Sequence, residues 1–551
     1  MKKILFAVLF GMFAVASNAQ DVENVKPVKN VIVMIPDGCS LATISTARWY
    51  QWYKNPNAPK LAIDPYICGT VRTTCSNAPI GDSAPTTSCY MTGYPSLAGW
   101  VSTYPKADPK NDIYPMDSTR AYQPLTTVLE AARLLKGKAT GLVTTCQFAH
   151  ATPADCSAHN HNRGANAEIV SQQVHNSLNV VIGGGTANMT DEHANYLRSK
   201  GYDVLKNDIE GLRTNTNNNI FAQFRHGDMT NDIDRDPAKE PSLAEMTEIA
   251  IKKLSTDPDG FFLMVEGSKV DYSAHANDPI GMVTEFLAFD RACGVALDFA
   301  RKDGNTAVVI LSDHGNSGLS IGRRDWHGYS GDSKEKMFSA LTKCKITSDE
   351  MAKKVKETEF ENMQNLFNEW FGFTLDDKEL EAIKYCREYK KSPVPEDERK
   401  QYRSSLYSSG LVSMIGQFVT KRTGLAFTTG GHTGEEVLLA AYHPDRDSRP
   451  YGMLTNIELN HYLCNLYGFS HDDLDRLTDE NFAQHTSVFN GMKYEIKDKV
   501  LTVKKGKKKL EIKPNTNIVK FNGNDVELPT VIIYVDKKDM FYLPKSLREM
   551  F

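Results

Sequence analysis

The chain has 551 residues, 41% of them hydrophobic and 24% charged, and a formal net charge of −4 at pH 7. That length supports a large buried core, either as several domains or as one α/β domain with insertions. The near-neutral balance excludes an ordinary nucleic-acid binder, which would carry a strong basic bias, so no nucleic-acid partner is expected.

The N-terminus reads as a targeting segment. Lys2 and Lys3 precede an apolar run from Ile4 to Ala16, and Ser17-Asn18-Ala19 supplies the small residues of a cleavage site. Residues 1–19 are therefore expected to be a signal peptide, and the product to be exported, periplasmic or secreted. The apolar run is too short to span a bilayer comfortably, and no later transmembrane segment is evident.

From Lys29 to about residue 320 strand and helix patterns alternate. Val31–Ile35 is apolar throughout and runs into Pro36-Asp37-Gly38. A helix is predicted over Leu125–Lys136, followed by strands at Thr140–Thr145 and Val180–Ile182. Helices at Leu243–Leu254 and Val283–Arg301 each precede an apolar run, Phe261–Val265 and Ala307–Leu311. Runs apolar at every position suit strands buried on both faces, with the helices as crossovers of a parallel sheet. The expected fold is thus α/β, a three-layer sandwich with a large, mostly parallel central sheet.

The alternation then stops. Residues 321–427 are charged and helical in pattern, with helices expected over Ser348–Glu369 and Leu375–Lys391 and a break at Pro393-Val394-Pro395. This reads as an insertion into a core whose two parts span residues 26–320 and 428–486. From 487 to 551 short strands and an Asn522-Gly523 hairpin signal a small β-rich module, whose lysines suit a solvated face. Ten cysteines are dispersed without a CxxC, which disfavours a thiolate zinc site; Cys68 with Cys75 is the first disulfide to test.

Gly81-Asp82-Ser83-Ala84-Pro85-Thr86-Thr87 places a hydroxyl directly after a carboxylate, at the mouth of a helix whose first turn holds a proline. Free N–H groups and the positive dipole end there would favour an anion. The plainer alternative is that Asp82 is simply an N-cap. Asp37, Glu266 and Asp313 each follow an apolar run, where ligands of open parallel sheets collect. Asp271 and His275 stand four apart, so on a helix they share a face, and Asp313-His314 and His432 add imidazoles. Each pair alone is more often a hydrogen-bonded couple. Imidazole and carboxylate donors together suit catalytic zinc.

With these residues in view, the chain resembles the alkaline phosphatases. The matching stretches are Val33–Gly38, Gly81–Thr87, His150-Ala151-Thr152-Pro153-Ala154 on to Asn162-Arg163, Val180–Gly185, Val265-Glu266-Gly267 through Asp271 to His275, Asp313-His314-Gly315, and Gly431-His432-Thr433-Gly434-Glu435. They cover roughly residues 29–320 and 428–470. The resemblance implies hydrolysis of phosphate monoesters to alcohol and inorganic phosphate, with two Zn²⁺ and one Mg²⁺ per chain and a phosphoserine formed on Ser83. It further implies Asp271, His275 and His432 at the first zinc, and Asp313, His314 and Asp37 at the second, with Ser83 as a further ligand. Asp37, Thr152 and Glu266 would hold the magnesium, beside His150. Arg163 would clamp phosphate, oriented by Asp82. Product phosphate would inhibit, and the insertion would correspond to a crown near a dimer interface, so a homodimer is an expectation.

Two positions depart from some relatives: His150 stands where an aspartate can occur, and Tyr272 where a lysine or histidine can. An imidazole at 150 would let the third site accept zinc or bind magnesium less tightly. The competing readings are a phosphodiesterase, sulfatase or phosphoglycerate mutase of the same metal superfamily, and an exported metal-binding scaffold without activity.

Overall fold

The computed structural model describes residues 24–324, 326, 334–389 and 410–551. The expected leader at 1–19 and the Pro393-Val394-Pro395 break lie outside these residues.

A ten-stranded sheet forms the centre. Its strands are β1 (Asn30–Pro36), β2 (Ile67–Arg72), β3 (Ala139–Gln147), β4 (Val180–Gly184), β5 (Asp203–Lys206), β6 (Ile220–Phe224), β7 (Phe261–Gly267), β8 (Thr306–Leu311), β9 (Val437–Tyr442) and β10 (Gly452–Thr455). Their order is β10-β2-β9-β8-β1-β7-β3-β4-β6-β5. Only β9 runs antiparallel to its neighbours, β2 and β8; the other pairs are parallel.

The uniformly apolar runs are explained by what each face meets. Along β1, Ile32 and Met34 enter one core while Val31, Val33 and Ile35 enter the other. In β7, Phe261, Leu263 and Val265 go to the first core, and Phe262 and Met264 to the second. The first core is closed by helices at Leu243–Leu254 and Pro279–Asp303, and the second by helices at Val128–Lys136, Asn166–His175 and Asn456–Asn465. Each such side chain contributes about 1.5–3 kcal/mol when fully buried, so both faces of the central strands favour the sandwich.

Within residues 321–427 the described helices add Leu341, Met351, Val355, Phe367, Phe371 and Phe418 to the first core, and a short strand, Leu425–Ala426, pairs with Ser320–Ile321. The single helix expected over Ser348–Glu369 is two, Ser348–Glu357 and Met363–Phe371, separated by a 3-10 turn at Phe360–Asn362. Thr358 is extended and ends the first helix, and Val355 and Met363 on either side of the break are both buried.

The C-terminal segment forms a five-stranded antiparallel meander from Lys493 to Glu527 around Leu501, Val503, Leu510 and Ile512. Its Asn522-Gly523 turn has positive φ at both residues, 51° and 88°, the conformation a type I′ hairpin requires. Lys504, Lys505 and Lys507 to Lys509 are exposed. Cys68 and Cys75, the first pair to test, form no disulfide. All ten thiols are free, with Cys68 Sγ facing the Leu439 carbonyl and Cys75 Sγ the Ile80 carbonyl. No helix among the described residues is long and apolar enough to cross a membrane.

Candidate active site

The parallel strands β1, β7 and β8 finish at one sheet edge, and their ends set the acidic residues side by side. Ile35 of β1 is level with Glu266 of β7, so Asp37, two residues on, projects just past it. Asp313 and His314 follow β8 after Ser312. Gly38 turns the chain at φ +61°, where a Cβ would lie 2.3 Å from Asp271 Oδ1. Only glycine lets the chain leave β1 without striking that carboxylate.

Ser83 opens helix α1 (Ser83–Thr92), beneath the same edge. Its Oγ lies 3.2 Å from His314 Nε2 and 3.3 Å from Asp37 Oδ1, and the residue is 2% exposed. Asp82 occupies the N-cap position, but its side chain does not cap the helix. Instead Oδ1 accepts from Arg163 Nη1 at 2.7 Å and Oδ2 accepts from the Gly99 N–H at 2.9 Å. Burial alone would raise the Asp82 pKa, yet Arg163 and the Gly99 N–H hold it below the ordinary carboxylate value. The plain capping alternative is therefore not what Asp82 does.

Helix α2 (Ala151–Ser157) starts after β3 and carries Thr152 in its first turn, with His150 just before it. His150 Nε2 accepts from Arg163 Nη2 at 3.1 Å, so the guanidinium is held from two sides. Burial, then the Arg163 charge, lowers the His150 pKa to about 4. Helix α3 (Lys269–His275) places Asp271 and His275 on one face, with Asp271 Oδ2 3.4 Å from His275 Nε2. His432 arrives on a two-residue strand, His432–Thr433, that pairs with Gly315–Asn316 immediately after His314.

Three imidazoles have their tautomers fixed by carbonyls, which can only accept. His275 Nδ1 donates to Gly430 O, His314 Nδ1 to Gly315 O and His432 Nδ1 to Gly81 O, at 2.9, 3.0 and 2.8 Å. Each Nε2 lone pair is thereby turned inward, the orientation metal-binding histidines show. His275 Nε2 and His432 Nε2 face one another at 3.1 Å. Two lone pairs at that distance repel unless a cation lies between them.

The carboxylates tell the same story. Asp37 and Asp313 are fully buried, and one oxygen of each, Oδ2, has no hydrogen-bond partner. Glu266 Oε1, Thr152 Oγ1 and His150 Nδ1 are likewise buried and unpartnered. Burial pushes the Asp37 pKa well above its ordinary value, and Asp313, Asp271 and Glu266 add to the rise; burial also lifts Glu266 to about 7. Conversely, burial would lower His314, but Asp313 and Asp271 raise it. Unpaired buried anions are costly, and this concentration fits divalent cations. The donor atoms gather in three groups: Asp271 with His314 and His432, Asp37 with Asp313 and His314, and Cys146 with His150 and Glu266.

The expected site residues thus collect along one sheet edge, and sequence reasoning missed several of their partners. Asn316 Nδ2 donates to Asp271 Oδ1 at 2.6 Å. Tyr272 packs edge-on against His150 with centroids 5.7 Å apart, and Lys269 lies over its ring at 5.5 Å. Cys146 joins His150 and Glu266, and the Cys146-x-x-x-His150 spacing was the available signal.

The family model for alkaline phosphatase matches residues 28–467. Alkaline phosphatase 3 of Bacillus subtilis (strain 168) is 32% identical over 452 residues, covering 79% of this chain and 88% of that protein. Among solved structures, Thermus thermophilus alkaline phosphatase superposes with a TM-score of 0.68 at 21% identity, over 82% of this chain and 95% of that one. A variant of the alkaline phosphatase from the Antarctic bacterium TAB5 with Mg bound in its M3 site gives 0.53 at 22% identity, over 81% and 99%. With a family model spanning most of its length and a relative of this identity, the chain belongs to the alkaline phosphatase family.

Proposed function

We propose that this member of a phosphomonoesterase family hydrolyses phosphate monoesters through a phosphoserine on Ser83. Ser83 Oγ attacks phosphorus as the ester P–O bond breaks and the alcohol leaves with a proton. Water then attacks the phosphoserine, the P–Oγ bond breaks, and inorganic phosphate departs. Arg163, fixed by Asp82 and His150, offers two parallel N–H groups suited to a pair of phosphate oxygens. The helix N-terminus behind Ser83 adds a positive dipole end to the same anion.

Asp271, His275 and His432 would hold one zinc, and Asp313, His314 and Asp37 a second, with Ser83 Oγ beside it. Asp37, Thr152 and Glu266, with His150 adjacent, would hold a third ion, magnesium by family resemblance. When bound, these ions supply Lewis acidity that activates the serine hydroxyl and offsets charge on the leaving oxygen. The inward Nε2 atoms and orphaned carboxylate oxygens support this assignment. A site shaped for PO₄ should also bind its product, making phosphate an inhibitor. We further propose export directed by residues 1–19, a crown role for 321–427, a separate module from 487 and a homodimer, on the sequence pattern and the family resemblance.

The observation carrying the proposal is Ser83 Oγ lying 3.2 Å from His314 Nε2 within this set of donors. Incubation with p-nitrophenyl phosphate, acid quench and peptide mass spectrometry should find phosphate on Ser83. Turnover without label there, or equal turnover in Ser83→Ala, would refute it.

A further inference from the structure

We infer that Cys146 is a ligand of the third metal position, which makes that position a sulfur, nitrogen and oxygen site selective for zinc-like ions, in place of the magnesium that the family resemblance implies there. The inference rests on the proposed function only in assuming a third ion beside the two held by the histidine sets.

Cys146 lies near the end of β3, and Glu266 stands in the adjoining strand β7, level with Thr144. The thiol, His150 and Glu266 each bring one donor atom within 4.8 Å of the other two. Cys146 and Glu266 are fully buried. Cys146 Sγ is 3.5 Å from Glu266 Oε2 and 3.0 Å from Thr144 Oγ1. Its backbone N–H is held by Ser268 Oγ at 3.1 Å and Thr144 Oγ1 at 3.2 Å. Thr144 Oγ1 also meets Glu266 Oε2 at 2.7 Å and Ser268 Oγ at 2.9 Å. These polar contacts fix sulfur and carboxylate together.

The second observation is the set of unfilled valences on the residues assigned to this position. Glu266 Oε1, Thr152 Oγ1 and His150 Nδ1 are buried without partners. His150 Nε2 is already engaged by Arg163 Nη2, so Nδ1 is its remaining donor. A site of carboxylate and water alone would suit magnesium, which demands oxygen ligands. Thiolate and imidazole instead suit zinc and cobalt. On metal uptake the S–H bond breaks, its proton goes to solvent, and the sulfur lone pair enters the coordination shell; nothing is oxidised or reduced.

The test uses the full chain, stripped of metal and reloaded with Co²⁺. The wild-type protein should show a sulfur-to-cobalt charge-transfer band in the near ultraviolet together with visible d–d bands. Cys146→Ser should lose the charge-transfer band and keep the d–d bands of the other positions, whereas Cys293→Ser, altered elsewhere in the fold, should keep both. After dialysis against equal Zn²⁺ and Mg²⁺, the wild type should carry one more zinc per chain than Cys146→Ser. The third-position zinc affinity should fall by about 10–100-fold in that variant, the scale seen for metal-site partners. Cys146→Ala, checked by near-ultraviolet circular dichroism, guards against a serine-specific folding defect. Visible d–d bands without any charge-transfer band, or unchanged zinc content in both variants, would overturn the inference while leaving the metal reading intact. No Co²⁺ uptake at all would overturn the proposed metal sites themselves, and this inference with them.

Discussion

Asp82 decides between two physical accounts of the Gly81–Thr87 segment, and a double-mutant cycle with Arg163 separates them. In the structure the Asp82 carboxylate makes two charge-assisted contacts, to Arg163 Nη1 at 2.7 Å and the Gly99 N–H at 2.9 Å, and does not cap its own helix. Hydrogen bonds to charged groups contribute about 1.5–3 kcal/mol, and the Arg163 and Asp82 side chains are 27% and 22% exposed, so the lower half of that range applies. If about 2 kcal/mol of guanidinium positioning is lost, Asp82→Ala should lower kcat/KM about 30-fold, at 1.36 kcal/mol per tenfold. Arg163→Ala removes the clamp itself and should cost about 10²–10³, the scale of a lost transition-state donor. Because Asp82 acts through Arg163, adding Asp82→Ala to Arg163→Ala should change the rate by no more than about twofold. A capping role predicts the reverse: about 1 kcal/mol of stability lost with turnover spared, and rescue by Asp82→Ser. Steady-state p-nitrophenyl phosphate kinetics with thermal melts on the wild type, the two single variants, the double variant and Asp82→Ser measure both. A full 30-fold loss persisting in the Arg163→Ala background, or Asp82→Ser restoring the rate, would refute the reasoning.

Ser83→Ala should abolish turnover while metal content stays within error of wild type, as read by elemental analysis. Chelation with EDTA should both inactivate the protein and lower its melting temperature, since ions bound only by the folded state stabilise it by mass action; zinc plus magnesium should restore both. Gly38→Ala should behave like loss of the metal site, because its Cβ would sit 2.3 Å from Asp271 Oδ1, and metal analysis should show a missing equivalent. Glu130 is 1% exposed and accepts from His159 Nε2, Asn176 Nδ2 and the Thr127 N–H at 3.1, 3.0 and 3.0 Å. Burial would raise its pKa, but the His159 partner and the hydrogen bonds depress it. Its stabilisation is therefore complete above the unfolded value near 4.3 and fades as pH falls through the lower folded value. Glu130→Gln should cost about 3–5 kcal/mol at pH 7 and flatten the acid limb of a melting-temperature profile.

Much of the core was legible because central strands buried on both faces must be apolar at every position, as Val31–Ile35 and Phe261–Val265 are. The edge strands β5 and β10 gave no such run, since each is partly exposed, and half-covered strands tolerate polar residues. β6 is fully buried but short and interrupted by Gln223. At the site, residues immediately following strands could be read from position alone. What could not be read was the company they keep: Arg163 bonding His150, Asn316 steadying Asp271, and Cys146 beside Glu266 all arise from register between segments distant in sequence. The Ser348–Glu369 pattern missed its break because helical charge spacing carries no stop signal at Thr358, where the backbone turns extended.

The pairing of Gly315–Asn316 with His432–Thr433 makes the reaction centre a check on synthesis. Nucleophile and guanidinium are translated early, but the third imidazole is laid down only after residues 321–427. Such non-local closure is entropically slow. A nascent or clipped chain lacking that return segment would hold the phosphate clamp without the ring that faces His275, and should be inert rather than weakly active.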